Sequence, residues 1–342
     1  MSVTETPPLD AQTPLIELCS VVARFHTRAS LLARLRRRPG ATIDAVAGVS
    51  IAVAAGEMLA LVGESGSGKT STGHVALRLL DPAEGEVRFQ GEDVTRVGGR
   101  RLRRLRRPMQ LIYQDPYEAL DPRCRVSTIL QQPLVVQERG LGSAERMRRA
   151  EEALERVGLT PPQAFMRRLP HELSGGQRQR VAIAASLMLN PRFVVADEPV
   201  SMLDVSVRAG IMALLGRLRD EGMGILLITH DLPTAARYAD RIAVMYLGRV
   251  VEIGPAEEVI ASPQHPYTRA LVDVTPGLDP SKRTELRILG GEVPDAANVP
   301  SGCRFHPRCP VAFEACPTTD PALRPVAPGK EGVHEAACLL VG

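Results

Sequence analysis

The sequence predicts an α/β protein with a largely parallel sheet and a small, irregular C-terminal extension that contains cysteines. Near-continuous apolar runs at 58–62 (MLALV), 193–196 (FVVA) and 225–228 (ILLI) are typical of parallel strands that are covered on both faces. Between 115 and 172 apolar residues recur at helical spacing, which predicts a helical insertion. From about residue 276 Pro and Gly become frequent and the periodicity fades, which marks the irregular extension.

Length and composition limit the classes of protein that this chain can be. Its 342 residues suffice for one large α/β domain with an appendage, or for two domains. Aromatic residues make up 3% and Trp is absent, so the stacking platforms of a single-strand nucleic-acid binder are not expected. A net charge of +3 is too small to indicate nucleic-acid binding by itself.

Neither a targeting segment nor a membrane segment is predicted. The N-terminal residues MSVTETPPLDAQTP contain acids and prolines and lack the apolar core of a secretory signal. No stretch reaches the roughly 20 apolar residues that a membrane helix needs. We therefore expect a soluble, cytosolic protein whose thiols stay reduced.

The predicted elements follow in order from the N-terminus. Residues 1–14 are expected to be disordered, 15–25 (LIELCSVVARF) have strand character, and 26–43 form a basic loop insertion. Two further strands flank the Ala-Ala-Gly-Glu segment at 54–57. The segment 241–254 (RIAVMYLGRVVEIG) predicts a hairpin with Leu-Gly at its turn.

One helix of the predicted insertion is amphipathic. In SAERMRRAEEALERVGL, the residues Met147, Ala150, Leu154 and Val157 fall on one helical stripe. Gly158 follows directly and is placed to end the helix.

A phosphate-binding loop is the strongest chemical signal. The residues GESGSGKT at 63–70 fit the pattern G-x-x-x-x-G-K-S/T between a predicted strand and a predicted helix, which makes a ligand-free glycine turn the weaker alternative. The glycines allow backbone N–H groups to approach phosphates, and the helix directs its positive end toward them. Lys69 is expected to bridge the β- and γ-phosphates, and Thr70 to bind Mg²⁺. The predicted nucleotide contacts here are Gly63, Ser65, Gly66, Gly68, Lys69, Thr70 and Ser71.

Two carboxylates at the end of a strand complete this predicted site. In FVVADE (193–198), Asp197 is expected to support Mg²⁺, as in other P-loop enzymes. Glu198 would then lie beside the γ-phosphate and could polarise the attacking water. The alternative is a pair of carboxylates in a solvated loop, which the neighbouring phosphate loop makes less attractive.

A second anion site is predicted where LSGGQRQRVAIAASL (173–187) begins a long helix. Two phosphate sites in one chain are explained if two chains pair head to tail, so that each nucleotide lies between the two different loops. The residues expected to contact the nucleotide bound by the other chain are Ser174, Gly175, Gly176 and Gln177.

With these motifs the chain resembles the ATP-binding-cassette (ABC) ATPases, whose signature is LSGGQ. The resemblance implies a P-loop NTPase cassette with a RecA-like mixed sheet core, an antiparallel β part and an α-helical subdomain. Gln114 matches the Q-loop, Asp204 in SMLD matches the D-loop, and His230 matches the switch histidine. Phe25 lies where the family places an aromatic that stacks on adenine, although a lone Phe in a strand is as often a core residue.

The resemblance also implies cofactors and roles. ATP and Mg²⁺ are expected, with the metal held through Thr70, Gln114 and Asp197. The implied catalytic residues are Lys69, Gln114, Glu198 and His230.

Further segments narrow the resemblance. QDPYEALDPR, PHELSGGQRQR, HPYTRAL and PSGCRFHPRCP look like the ATPase subunits of oligopeptide/dipeptide (peptide/nickel) permeases, over residues 15–340. The chain is most similar to the second ATPase subunit of dipeptide permeases. This implies a cassette over 15–260, with its helical subdomain at about 115–172, and a permease-type C-terminal region over 261–342.

Such a chain is expected to hydrolyse ATP and so energise the import of di- or oligopeptides, or of a related solute such as a nickel complex. The implied partners are a second ATPase in a heterodimer, two integral membrane permease subunits and, indirectly, a solute-binding protein, with no nucleic acid. The chain would then lie peripherally on the cytoplasmic side of the cell (inner) membrane. The alternative is a soluble ABC ATPase of DNA repair or translation.

Four cysteines gather near the C-terminus with the spacing C-x5-C-x6-C-x21-C. Soft thiolate ligands suit an iron–sulfur cluster as well as zinc, and free thiols are a third alternative. Because some members of the permease group hold a 4Fe–4S cluster in this tail, the resemblance favours a cluster, with Zn²⁺ as the alternative metal. The expected ligands are Cys303, Cys309, Cys316 and Cys338.

A basic run precedes the Q-loop at 94–110 (VTRVGGRRLRRLRRPMQ). It could face nucleic acid or an anionic membrane surface. A solvated face is the simpler interpretation and the one we favour.

Overall fold

A computed structural model describes residues 13–26, 42–138, 140–274, 294–295, 297–327 and 334–341. Most of the N-terminal segment 1–14, which is predicted to be disordered, lies outside these residues. The same holds for most of the basic insertion and for the expected boundary near 276. Only the ends of the insertion are described, and they are strand residues that pair with each other, His26 with Thr42.

Among the described residues the larger sheet has eight strands, and the five from β9 to β6 at one end of it run parallel. The strand order is β11-β12-β10-β9-β3-β8-β7-β6, with antiparallel pairing only from β9 outward to β11. Its strands are β3 Met58–Val62, β6 Met109–Ile112, β7 Phe193–Asp197, β8 Gly224–Thr229, β9 Arg241–Tyr246, β10 Arg249–Pro255, β11 Arg324–Pro325 and β12 Glu335–Ala336.

A smaller antiparallel sheet packs beside it. Its strand order is β2-β1-β4-β5. The strands are β1 Ile16–His26, β2 Thr42–Val53, β4 Glu84–Phe89 and β5 Glu92–Asp93.

Helices connect and cover the sheets, and two short 3₁₀ turns lie at Pro170–Glu172 and His306–Arg308. In the described part of the chain, no helix is both long enough and apolar enough to cross a membrane. The helices are α1 Lys69–Ala76, α2 Gly99–Leu105, α3 Pro116–Ala119, α4 Val126–Gln137, α5 Ser143–Arg156, α6 Gln163–Met166, α7 Gly175–Leu187, α8 Val205–Asp220, α9 Leu232–Tyr238, α10 Ala256–Ala261 and α11 Pro266–Asp273.

Strand β3 illustrates why the parallel core has continuous apolar runs. All five of its residues are buried. Met58, Ala60 and Val62 pack into the core cluster on the helical side of the sheet. Leu59 and Leu61 pack into a second cluster, which includes residues of the small antiparallel sheet. A strand with core on both faces has no polar side, as its sequence predicts.

Helices α3 to α6 fall within the predicted helical insertion. On α5, Ala150 and Leu154 are buried, Val157 is buried just after it, and Gly158 ends it with a φ of 77°. Met147 lies on the same stripe but is 39% exposed, because its sulfur faces Gln131 at the edge of the packed surface.

The basic run forms β6, the exposed helix α2 and the turn between them. Arg101 pairs with Glu92 and Arg107 pairs with Glu138. Arg106 donates to the carbonyl of Arg78. Some arginines of this run are thus paired with groups of the same chain, which favours a solvated face over a nucleic-acid-binding surface.

The C-terminal tail is attached to the cassette through a buried carboxylate. Strand β12 pairs with β10 and brings His334 Nε2 to 2.8 Å from Glu252 Oε1. Glu252 is fully buried and also accepts backbone N–H groups of Gln264 and His265, both at 2.8 Å. This set of hydrogen bonds compensates for the burial of the charge.

His265 holds the start of α11 in this region. It is 1% exposed, and its Nδ1 accepts the backbone N–H of Tyr267 at 3.1 Å. Burial lowers the pKa of His265 from its ordinary value of 6.5 to about 4, against the opposite effect of Glu252. Since the folded pKa is the lower one, its contribution to stability is full above pH 6.5 and is lost as the pH falls toward 4.

We expect the variant His265→Asn to have a flatter dependence of stability on pH. The amide oxygen can still cap the helix, but no group remains that must be protonated on unfolding. Between pH 7 and 5 the wild type should lose about 2 kcal/mol more unfolding free energy than the variant, measured by urea denaturation. The exposed His171→Asn is the matched control, and parallel pH curves for wild type and His265→Asn would contradict this account.

Candidate functional site

The site forms where four neighbouring parallel strands end at the same edge of the sheet. The order β6-β7-β8-β3 places the segments after these strands side by side. Gln114 follows β6, Asp197 ends β7, His230 follows β8, and the loop 63–70 follows β3. Residues that lie far apart in sequence therefore face one cleft.

The phosphate loop passes closely over neighbouring backbone. Gly68 has a φ of 100°, and a Cβ there would lie 2.1 Å from the carbonyl oxygen of Ala45. Only glycine fits such a position. Gly68 precedes the first residue of α1, so the loop delivers Lys69 and Thr70 at the positive end of that helix.

Lys69 lies inside this loop, and its side chain is held by backbone oxygens. Its Nζ donates to the carbonyl groups of Gly63 and Glu64, both at 2.8 Å. Burial lowers the pKa of Lys69, whereas the carboxylates of Glu198, Asp197 and Glu64 act to raise it. An ammonium group held in this position can form charge-assisted hydrogen bonds to an anionic ligand.

The loop and the strand ends enclose a cleft of about 620 Å³. A cleft of this size falls in the range of small-molecule and cofactor sites. The residues that line it are Ala45, Ser65, Gly66, Gly68, Lys69, Thr70, Ser71, Gln114, Glu198 and His230.

Asp197 has the environment of a magnesium ligand. Burial raises the pKa of its carboxyl group, while a hydrogen bond with Thr70 lowers it. Its Oδ1 is buried and has no hydrogen-bond partner among the residues that the structure describes. A carboxylate oxygen left open beside a threonine hydroxyl fits Mg²⁺ or one of its water ligands.

Glu198 is held at the mouth of the cleft by two other candidate residues. Its Oε1 lies 3.1 Å from His230 Nδ1, and its Oε2 accepts from Gln114 Nε2 at 3.2 Å. The backbone of Glu198 is left-handed, with a φ of 43°, a conformation that non-glycine residues rarely adopt outside functional sites. The carboxylate is thus fixed where it could act on a water beside a bound phosphate.

The signature loop lies at the start of α7 and is strongly capped. Ser174 Oγ accepts the backbone N–H of Gln177 at 3.3 Å, and Gln177 Oε1 accepts that of Ser174 at 3.1 Å. A Cβ on Gly176 would come within 2.5 Å of Val207 on α8, so glycine allows the two helices to pack closely. None of Ser174, Gly175, Gly176 and Gln177 is among the residues that line the cleft.

The D-loop and the predicted adenine contact are exposed. Asp204 is exposed beside Met202 and Val205, which are 64% and 80% exposed. Phe25 is 42% exposed near the end of β1 and pairs with Ile43 of β2. Phe25 is therefore not a core residue, but it also does not line the cleft.

The four tail cysteines come together, although not as a metal site. They line one small cavity of about 20 Å³, and backbone hydrogen bonds from Phe305 and Val311 reach two of the thiols. Burial raises the pKa of these two thiols, Cys303 and Cys309. Among the described residues, however, no group of three or more His, Cys, Asp or Glu side chains could hold a metal ion. Four thiols are a suitable donor set for a thiolate-bound metal, but the positions of the thiols in this structure do not form a metal site. The expected metal centre is therefore not supported.

Three residues at the site were not predicted from the sequence. Glu64 of the phosphate loop contacts Tyr267 and Arg308 from the C-terminal part of the chain. Glu64 occupies a variable position of the phosphate-loop motif. Tyr267 lies in HPYTRAL and Arg308 lies in HPRC, and these two segments indicated only the resemblance to the permease family. No local signal links these three segments.

The sequence of this chain matches two family models and is similar to known proteins. Residues 46–201 match the model described as ABC transporter, and residues 251–316 match the one described as oligopeptide/dipeptide transporter, C-terminal region. A putative peptide import ATP-binding protein of Brucella ovis is 47% identical over 330 residues, which cover 96% of this chain and 98% of the relative. The chain belongs to the ABC transporter family, in its oligopeptide/dipeptide group.

Another relative and a solved structure agree with this membership. The dipeptide transport ATP-binding protein DppF of Haemophilus influenzae is 40% identical over 326 residues, covering 95% of this chain and 97% of DppF. The dimeric ABC cassette MJ0796 bound to ADP and Pi has a TM-score of 0.61 and 29% identity, covering 70% of this chain and 98% of MJ0796.

The predicted family and fold class are confirmed, and the protein is an ABC ATPase that uses ATP and Mg²⁺. The alternative of a repair or translation factor is not favoured by these relatives.

Proposed function

We propose that this ABC ATPase energises the import of di- or oligopeptides, or of a related small solute, across the cell membrane. The observation that carries the proposal is that one chain combines a cleft built on a phosphate loop with the oligopeptide/dipeptide C-terminal region. The relatives named for peptide import and dipeptide transport span nearly the whole chain.

In the proposed mechanism, each cleft residue has one task. The N–H groups of the loop 63–70 and the ammonium of Lys69 bind the β- and γ-phosphates. Thr70, Asp197 and Gln114 would hold Mg²⁺, which would supply positive charge beside the phosphates. Glu198 orients the attacking water and accepts its proton, and His230 contacts the γ-phosphate.

The second half of each nucleotide site comes from a second ATPase subunit. Ser174 and its neighbours do not line the cleft of their own chain, so in a head-to-tail pair they could close the cleft of the other subunit. Met202 and Val205 expose apolar surface beside Asp204, which such a pairing would cover. ATP favours the closed pair because only that state provides both halves of the site. We propose a heterodimer with a second, non-identical ATPase.

An apolar groove is the proposed docking site for a membrane permease subunit. It measures about 600 Å³ and lies between β6 and α4. Leu79, Tyr113 and Val136 expose 49%, 44% and 50% of their surface there. An apolar helical segment of the permease would fit this surface. Gln114, which bonds Glu198, directly follows Tyr113, so movement of that segment could reach the cleft.

We propose that the chain lies peripherally on the cytoplasmic side of the membrane. Two permease subunits would hold the two ATPases, and a solute-binding protein on the other side would select the cargo. The chain itself has no proposed contact with nucleic acid.

We also propose that the four tail cysteines bind a metal, a 4Fe–4S cluster rather than Zn²⁺. Support comes from four thiols around one cavity and from backbone hydrogen bonds to their sulfurs, as is usual for thiolate ligands. Since the thiols are not at ligand distances, binding would require them to converge. The role would be structural, because metal binding can supply folding free energy to a tail with little periodic apolar sequence.

The role of Glu198 is tested by Glu198→Gln, which keeps the shape of the side chain and removes the general base. The variant should bind ATP normally, hydrolyse it at least about 100-fold more slowly, and accumulate as closed dimers on gel filtration with ATP. Glu155→Gln, on an exposed face of α5, should behave as the wild type. Full ATPase activity in Glu198→Gln would disprove its assigned role.

The groove is tested by Val136→Glu, which places a charge on the proposed docking surface. We expect the variant to lose co-purification with its membrane permease subunits, since burying an unpaired carboxylate is costly, while its ATP binding is retained. Val135→Glu changes the neighbouring residue, 51% exposed but outside the groove, and should still co-purify. Equal co-purification of both variants would rule out this surface.

Metal content decides the proposal for the tail. Anaerobically purified wild type should contain close to four iron and four acid-labile sulfide per chain, as a 4Fe–4S cluster requires, and Cys309→Ser should lose them. Cys19→Ser, in the small sheet, is the control. One zinc per chain without sulfide would show that the tail binds Zn²⁺ and not a cluster. The absence of both metals would contradict metal binding by the tail.

A further inference from the structure

In the part of the chain that the structure describes, the C-terminal region contacts the phosphate loop through hydrogen bonds with Glu64. The carboxylate of Glu64 receives two hydrogen bonds from Arg308, at 2.8 and 3.1 Å. The backbone N–H of Glu64 donates to Tyr267 Oη at 2.9 Å. The backbone carbonyl of Glu64 accepts from Lys69 Nζ at 2.8 Å. One residue thus joins the tail to the lysine that is proposed to bind the phosphates.

Arg308 is built into the tail and is not a mobile surface side chain. It ends the 3₁₀ turn His306–Arg308 between two of the tail cysteines, and its side chain is only 6% exposed. Its guanidinium lies 5.9 Å from the ring centre of Tyr246 and donates to the Tyr246 hydroxyl at 3.5 Å. A two-point contact from a buried guanidinium fixes the orientation of the carboxylate that it holds.

An aromatic cluster supports the second contact. The rings of Tyr246, Tyr267 and Phe305 lie 4.8 to 5.4 Å from one another, centre to centre, and all three residues are buried. Packing of this kind limits side-chain movement. The Tyr267 hydroxyl is therefore held in place to accept the N–H of Glu64.

The charge of Glu64 explains why an arginine is needed at this point. Its carboxylate acts on the Lys69 ammonium, so its negative charge is felt where the ATP phosphates would lie. Unpaired, this charge would repel the phosphates across a short distance. Paired with Arg308, it is neutralised, and the loop keeps its conformation.

We propose that Arg308 and Tyr267 are positioning residues for ATP binding: Arg308 neutralises the charge of Glu64, and Tyr267 holds the backbone of the phosphate loop at Glu64. The inference rests on the ATP-binding function proposed above and extends it to the tail. Disruption of the tail would then weaken nucleotide binding without any change in the residues that line the cleft.

The test is equilibrium binding of a fluorescent ATP analogue with Mg²⁺ to the full chain. Arg308→Gln should raise the Kd roughly tenfold, a typical coupling between linked sites. The double variant Glu64→Gln/Arg308→Gln should recover most of this loss, because the unpaired charge is gone. Glu64→Gln alone completes the cycle. Asp320→Asn breaks another tail-to-body ion pair, with Arg249 at 2.7 Å, and should leave the Kd unchanged.

Rescue separates positioning from mere support of the fold. If the tail only stabilises the protein, the double variant should bind as weakly as Arg308→Gln, and that result would overturn the proposal, as would an unchanged Kd in Arg308→Gln. If the wild type fails to bind the analogue at all, the ATP-binding function fails instead. Should Arg308→Gln not fold, as judged by thermal unfolding, Tyr267→Phe removes only the hydroxyl, and we expect its Kd to rise about threefold. An unchanged Kd in Tyr267→Phe would then overturn the proposal.

Discussion

The parallel pairing of β6, β7, β8 and β3 is the constraint on which the rest of this structure depends. Because these strands run in one direction, their carboxyl ends meet at one edge. That edge gathers residues separated by more than a hundred positions in sequence, such as Lys69 and Glu198. The strands are buried on both faces, and this packing supports the left-handed backbone of Glu198 at the edge.

The cleft that results would form half of a nucleotide site in the proposed pair of ATPases. It holds a complete phosphate loop, a candidate magnesium carboxylate and a carboxylate fixed by Gln114 and His230. The capped signature loop at Ser174 lies outside it. In the proposed head-to-tail pair, a second subunit would enclose the nucleotide and cover the exposed surface around Asp204. The chemistry of one chain is thus tied to assembly.

The tail is a structural part of this cassette. Strand β12 extends the sheet, Glu252 receives hydrogen bonds from two segments around it, and Arg308 reaches the phosphate loop. The oligopeptide/dipeptide C-terminal region therefore shares its core with the ATP site. Its cysteines line a cavity that Phe305 of the same aromatic cluster and His265 also line. Cargo selection and membrane docking are proposed to involve surfaces other than this tail.

The sequence alone determined the phosphate loop, the strand carboxylates, the signature loop and the family, because each is a contiguous motif whose chemistry depends on local backbone geometry. It also predicted the buried strands and the helix that ends at Gly158, where periodicity reflects burial directly. Only the tertiary structure decided that Met147 and Phe25 are exposed and that the tail thiols share a cavity without metal geometry. It alone joined Glu64 to Arg308, 244 residues apart, because such a contact follows from how the sheet and tail pack, for which no local pattern exists.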